Sequence, residues 1–204
     1  MIWQPTDVMA PATKRRLDVE YLRVGAWNVR SMKNKEEEIG EEMKKYRLDI
    51  LGVSETHLRG SGQREVGSMV MVYSGVVEGR AKGGVAILIS EQLSSCLKEW
   101  KCENERLMKV RMRIDGTWVT LIQAYAPTED SEEGLKDSFY DSLEEMIGRT
   151  LKNDQLVVMG DLNARVGRDG EAWGGVIGRH GEETKNRNGQ RLLCLLYTSD
   201  AADE

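Results

Sequence analysis

The sequence predicts an α+β fold, an α/β sandwich of two packed mixed β-sheets flanked by helices. Three observations carry this. Short apolar segments recur, several with the period of two that marks a strand with one covered face. Two longer segments place their apolar residues on one helical face. Some strands follow one another through a tight turn and others through a helix, so antiparallel and parallel pairs must coexist.

The elements run in order. Residues 1–20, with Pro5 and Pro11, read as a flexible leader. Leu22, Val24 and Ala26 alternate with Arg23 and Gly25, a strand ending at Trp27-Asn28. In the segment 36–46, Ile39, Met43 and Tyr46 share one helix face, and Glu41 and Lys45 form an i,i+4 pair. Asp49–Ser54 is an apolar strand ending at Glu55, and the Gly- and Ser-rich stretch 59–68 reads as a loop. Met69–Tyr73 and Gly84–Ile89 are two further strands. Met108, Val110, Met112 and Ile114 alternate with basic residues, and Asp115-Gly116 turns that strand into Trp118–Ala124. Pro127–Ser131 is a turn placed to cap a helix striped by Leu135, Phe139, Leu143, Met146, Ile147 and Leu151. Gln155–Met159 is a short buried strand ending at Gly160-Asp161.

Composition bounds the function. The chain has 204 residues, 40% hydrophobic and 31% charged, which suits one globular domain and excludes a disordered one. No apolar run approaches the ~20 residues of a membrane span. The N-terminus lacks the apolar core of a secretory signal, so nucleus or cytoplasm is expected. Cys96, Cys102 and Cys194 form no CxxC pair, and His57 and His180 have no partner at zinc-ligand spacing. The net charge of −5 argues against nucleic-acid binding by bulk charge alone. Cys194–Glu204 resembles the translation of a sequencing-library adapter, with a genuine polar C-terminus as the alternative, and is set apart from the fold as a fusion scar would be. Removing its three acidic residues takes the net charge from −5 to −2.

Four polar constellations each follow an apolar strand, where a rigid sheet can place site residues with little freedom. They are Asn28 in GAWNVR, Glu55 in VSETHL, Tyr125 in QAYAPT, and Asp161 with Asn163 in MGDLNARVG. Each has a plain structural alternative. Asn28 suits a turn. Glu55 suits a buried salt bridge. Tyr125 suits a core aromatic with its hydroxyl at the surface. Asp161-Leu162-Asn163 suits an Asx turn as well as a metal or phosphate site.

Taken in order, Asn…Glu…Tyr-Ala-Pro…Gly-Asp-Leu-Asn resembles the endonuclease/exonuclease/phosphatase superfamily. The pieces W-N-V-R, S-E-T-H-L, G-G-V-A-I-L, Y-A-P-T and G-D-L-N-A-R-V-G match from about Leu22 to Leu193. The local flavour is similar to the endonuclease domain of LINE-type (non-LTR) retrotransposons and to the craniofacial development protein 2-like sequences. Asn186–Leu193 also resembles the segment that follows G-D-L-N in that group.

The resemblance implies a four-layer α-β-β-α sandwich and hydrolysis of a phosphodiester, with DNA as partner. It implies Mg²⁺, with Mn²⁺ as an alternative, held by Glu55 with Asn28 beside it. Asp161 would deprotonate the attacking water, and Asn163 would donate to the phosphate oxygen that gains charge. Tyr125 would bond the phosphate or its neighbour, and Arg30 and Arg165 are candidate phosphate contacts. The superfamily completes its site with a late Asp and a C-terminal Ser-Asp-His segment, neither of which lies in this sequence. The expectation is therefore a domain over 21–193, incomplete at its C-terminus, inactive by itself and poorly folded. Three functions compete: a DNA-nicking endonuclease, a phosphodiesterase or phosphatase acting on a small phosphoester, and a domesticated interaction module without turnover.

Overall fold

The computed structural model describes residues 21–79, 83–170, 173, 176–178 and 180–201. The expected leader, 1–20, lies outside the described residues. Among the described residues nine strands form two sheets. The first holds β1 (Val24–Asn28), β2 (Ile50–Ser54), β3 (Ser61–Val66), β4 (Met69–Ser74) and β5 (Val85–Ile89), in the order β1-β2-β5-β4-β3. The second holds β6 (Leu97–Cys102), β7 (Leu107–Ile114), β8 (Thr117–Tyr125) and β9 (Gln155–Asp161), in sequence order. Both sheets are mixed: β1 pairs with β2 and β8 with β9 in parallel, and the remaining pairs are antiparallel.

Each parallel pair is joined through a helix, as parallel strands require. Helix α1 (Glu36–Lys45) crosses from β1 to β2, and α2 (Glu133–Gly148) crosses from β8 to β9. A third helix, α3 (Arg187–Ala201), packs beside α2.

Strand periodicity sorts the side chains into three apolar layers. Ile50, Val85 and Ile87 face Val110, Leu121 and Met159 across the space between the sheets. Leu51, Val53 and Leu88 point the other way, onto Ile39 and Met43 of α1. On the far side Leu107, Ile122 and Ala124 meet Phe139, Tyr140 and Leu143 of α2. Helix, sheet, sheet, helix is the expected four-layer order. Among the described residues no helix is long and apolar enough to cross a membrane.

Several local expectations change. The 59–68 stretch holds strand β3, whose polar side chains are mostly exposed and whose order comes from pairing with β4. Tyr46 is exposed beyond the end of α1, and Lys45 pairs with Glu42 at 3.0 Å rather than with Glu41. Ser131 does not cap α2; its hydroxyl meets that of Thr128 at 3.1 Å, and Glu132 precedes the helix without a side-chain cap. On α2 the buried face is rotated: Leu135 is exposed and Lys136 is buried, with its ammonium on Glu129 O (2.8 Å) and Glu133 Oε1 (2.9 Å). Leu151 falls beyond the helix and is exposed. Strand β9 is half-exposed rather than buried, because it is the last strand of its sheet. The segment from Cys194, set apart on sequence grounds, continues α3 as far as Ala201, and Leu195 packs against α2.

Candidate active site

The parallel pairs bring four strand ends together. Counting in twos from residues that point between the sheets (Val24, Ile50, Leu121, Met159) puts Asn28, Ser54, Tyr125 and Asp161 on that same inner face. Asn28 is in register with Ser54, and Tyr125 with Asp161. Strand β1 of one sheet lies against β9 of the other, so the two ends converge.

The side chains meet there. Asn28 Nδ2 donates to Glu55 Oε1 at 2.8 Å and to Asp161 Oδ2 at 3.0 Å. The Tyr125 hydroxyl donates to the same Glu55 oxygen at 3.0 Å. The Asn163 backbone N–H donates to Asp161 Oδ1 at 3.1 Å, and its Nδ2 donates to Ala126 O at 2.8 Å. Asp161 O accepts from the Ala126 N–H at 2.9 Å, which ties the ends of β8 and β9.

The backbone is bent to achieve this. Glu55 and His57 adopt φ of 56° and 54°, on either side of buried Thr56. Left-handed backbone at such residues costs on the order of 1–3 kcal/mol each and persists only where the surroundings impose it. Here Thr56 is anchored by its N–H to Gly84 O (3.1 Å) and by its carbonyl to the Met32 N–H (2.9 Å). Asn163 is also left-handed, at φ 46°. Gly160 sits at φ 130°, and a Cβ there would lie 1.9 Å from Ala124 O, so only glycine lets β9 approach β8 at this point.

Two half-buried carboxylates thus share one amide, and among the described residues neither Glu55 nor Asp161 has an ion-pair partner. Burial pushes the Tyr125 hydroxyl up to about 12, and the Glu55 carboxylate that accepts its proton adds to the shift. Tyr125 is therefore a hydrogen-bond donor at any neutral pH. The Arg106 guanidinium lies 5.1 Å from the centre of its ring and opposes the shift. Below the cluster, buried Gln123 reaches from β8 to Ser54 Oγ of β2 at 3.0 Å, which joins the two sheets. Gly52 makes room for it: a Cβ there would lie 2.0 Å from Gln123 Oε1.

The structure unites Asn28, Glu55, Tyr125, Asp161 and Asn163, all singled out from sequence. It leaves Arg30 and Arg165 at the margin. Arg30 is exposed and touches the cluster through its backbone N–H, which donates to Asn28 Oδ1 at 3.2 Å. Arg165 is exposed, pairs with Glu182 at 3.3 Å, and lines an open cleft of about 790 Å³ with Asp161 and Asn163. Asn28 presents nitrogen rather than oxygen to the carboxylates, so acting as a metal ligand would require its amide to turn. Neither His57 nor His180 bonds to the cluster; both are exposed. Sequence reasoning missed Arg106 and Gln123. Gln123 had a signal, a polar residue in phase with inward-facing Val119 and Leu121; Arg106 had none.

No group of three or more His, Cys, Asp or Glu residues able to hold a metal is present among the described residues. The donor set of Glu55 and Asp161 still suits a hydrated divalent ion, which takes one or two carboxylates and keeps several waters.

Known proteins share the family and the fold. Residues 25–191 match the model of the Endonuclease/Exonuclease/phosphatase family. The chain is 34% identical over 192 residues to craniofacial development protein 2 of Bos taurus, covering 94% of this chain and 32% of that protein. Among solved structures it is similar to the 3′ phosphatase NExo from Neisseria bound to product DNA hairpin, with a TM-score of 0.59, 19% identity, and 86% of this chain and 70% of that one covered. It is also similar to the endonuclease domain of TRAS1, a telomere-specific non-LTR retrotransposon, with a TM-score of 0.56, 19% identity, and 86% and 70% covered. The chain thus spans about a third of its curated relative's length. The family model takes in most of the chain, including every strand end that carries the site, and the chain belongs to the endonuclease/exonuclease/phosphatase family.

Proposed function

We propose that this domain cleaves phosphodiester bonds in DNA as a divalent-metal-dependent endonuclease of the retrotransposon type. One observation carries the chemistry: Glu55 and Asp161 converge on the Asn28 amide, and among the described residues neither has an ion-pair partner. Two carboxylates held together and half-buried are costly unless a cation joins them. DNA is preferred as substrate because the TRAS1 relative is a retrotransposon endonuclease and the Neisseria relative binds a DNA hairpin.

In this reading Glu55 holds Mg²⁺ or Mn²⁺, with Asn28 beside it. When bound, the ion supplies positive charge that neutralises the phosphate and the developing oxyanions. Asp161 accepts the proton of the attacking water; its Oδ1 is already oriented by the Asn163 N–H and its Oδ2 by Asn28. Asn163 has spent one amide hydrogen on Ala126 O, which leaves the other for a phosphate oxygen. Tyr125 keeps its proton and fixes the Glu55 carboxylate.

We further infer that the 204-residue chain does not turn over alone, since no histidine among the described residues joins the cluster to protonate a leaving oxygen. The test is nicking of supercoiled plasmid with Mg²⁺ or with EDTA. It is run on this chain and on a longer chain made by adding the segment that follows the matched region in craniofacial development protein 2 of Bos taurus. Nicking by the longer chain is expected to require the metal and to disappear in Glu55→Ala and Asp161→Ala. Full activity in either variant would refute these roles, and nicking by the 204-residue chain would refute its inactivity.

A further inference from the structure

Asn163 is fixed from outside the strand-end cluster. Its backbone carbonyl accepts from Asn186 Nδ2 at 2.9 Å and from Asn188 Nδ2 at 3.3 Å. Both donors belong to the N-R-N-G segment that opens α3. Asn186 immediately precedes the helix, and its Oδ1 accepts from the N–H of Gly189 (2.7 Å) and of Arg165 (2.9 Å). The first bond is that of an N-cap residue; the second ties the cap to the chain just after Asn163. Asn188 is wholly buried, and its Nδ2 also donates to Pro127 O at 2.8 Å.

The contact is close and tolerates little change. A Cβ on Gly189 would lie 1.8 Å from Arg165 O. The Glu129 carboxylate accepts from the Arg187 and Asn188 N–H groups at 3.3 and 3.4 Å, which moors the first turn of α3 to the loop after β8. The start of α3 therefore grips the two loops that carry Ala126 and Asn163, the acceptor and the donor of the 2.8 Å bond described above.

We propose that Asn186 and Asn188 are positioning residues for Asn163. They hold its carbonyl so that the left-handed turn and the bond to Ala126 persist, and the second amide hydrogen of Asn163 is set for a phosphate oxygen. This rests on the reading of Asn163 as a phosphate donor. It differs from a helix cap alone in one respect: the Nδ2 hydrogen of Asn186 matters as much as its Oδ1.

Asn186→Asp separates the two roles. The aspartate keeps the capping oxygen and loses the donor. An ionised carboxylate caps a helix at least as well as an amide, and protonation weakens that cap. A protonated carboxyl can instead donate to Asn163 O again. Capping and positioning therefore predict opposite responses to acid.

The experiment follows hydrogen exchange and the side-chain amide signal of Asn163 by NMR in the 204-residue chain, wild type against N186D. At neutral pH the variant is expected to keep its melting temperature while Asn163 exchanges about three- to tenfold faster, the worth of one hydrogen bond. Near pH 3, about one unit below an ordinary Asp, the difference from wild type should vanish. Equal exchange at neutral pH, or faster exchange that acid does not restore, overturns the proposal. Dimethyl phosphate with Mg²⁺ should shift the Asn163 side-chain amide in wild type and shift it less in N186D; an equal shift in both also overturns it. Mn²⁺ broadening around Glu55 in wild type tests the underlying reading separately. Its absence would remove the catalytic meaning of the arrangement and overturn the proposal whatever the exchange rates, whereas broadening with unchanged exchange would sink the positioning role alone.

Discussion

The site is divided between two strand–helix–strand units of the same plan. In β1-α1-β2 the strand ends supply Asn28 and Glu55; in β8-α2-β9 they supply Tyr125 and Asp161. The units differ in how firmly they are held. Helix α1 has 10 residues and buries Ile39, Gly40 and Met43. Helix α2 has 16, buries Lys136, Phe139, Tyr140, Leu143 and Met146, and is braced by α3. Asn28 bonds Glu55 of its own unit and Asp161 of the other, whereas Asn163 is held by Asp161 and Ala126 of its own unit and by Asn186 and Asn188 at the start of α3. The half that would hold the metal is thus covered by one short helix, and the half that would move the proton by a longer helix backed by α3.

The largest test of this contrast is metal affinity. Glu55→Gln should weaken Mn²⁺ binding by about a hundredfold, the upper end of the ~10–100-fold loss usual for groups around a ligand, while Asp161→Asn should cost less than about tenfold. Electron paramagnetic resonance titration of the free ion reads both, and equal losses would erase the division of labour. Next comes backbone fit. Gly160→Ala should destabilise by roughly 2–4 kcal/mol, since both its φ and the Ala124 carbonyl oppose a Cβ. Gly25→Ala in β1 meets a movable Leu48 methyl at 2.8 Å and should cost about 1 kcal/mol. Urea midpoints of the two would show the units alike if they coincide.

How much of this was legible depends on where order comes from. Asn28, Glu55, Tyr125 and Asp161 could be read because each lies at or just past the end of a segment that reads as a strand, the first by alternation and the others by short apolar runs. Strand β3 could not: its Ser-Gly-Gln-Arg-Glu run has little apolar signal, and only pairing with β4 makes it extended. Lys136 misled for another reason. A lysine enters a helix core when its charge is met, and the groups that meet it are Glu133 in the first turn of α2 and the Glu129 carbonyl in the turn before it. The bonds from Asn186 and Asn188 to Asn163 span 23 and 25 residues and leave no periodic trace.

Two smaller effects distinguish the units by pH. Tyr125 has its folded pKa raised from 10.0 to about 12, so its contribution is complete below pH 10 and lost as pH rises through about 12. Tyr125→Phe should cost about 1 kcal/mol at neutral pH, and its urea curve should lack that alkaline limb. Glu133, bonded to Lys136, Arg187 and Arg191, has its pKa lowered from 4.5 to about 2. Its contribution is present above pH 4.5 and lost as pH falls through about 2. Because the carboxylate is exposed the effect should be small, visible as a flatter acid limb in Glu133→Gln that is confined to the α2–α3 contact.

Strands β1 and β9 are each the last of their sheet, and they lie one above the other. Among the described residues each leaves one edge without a partner strand, and the two carry exposed Trp27 and Leu156. Open edges of this kind recruit further strands. A strand joining β1 would stiffen the end that carries Asn28, and one joining β9 the end that carries Asp161. Assembly through these edges would then alter the geometry of the site. A sedimentation series across protein concentration, followed alongside Mn²⁺ affinity, should move both quantities together; affinity that stays constant while the chain associates would uncouple them.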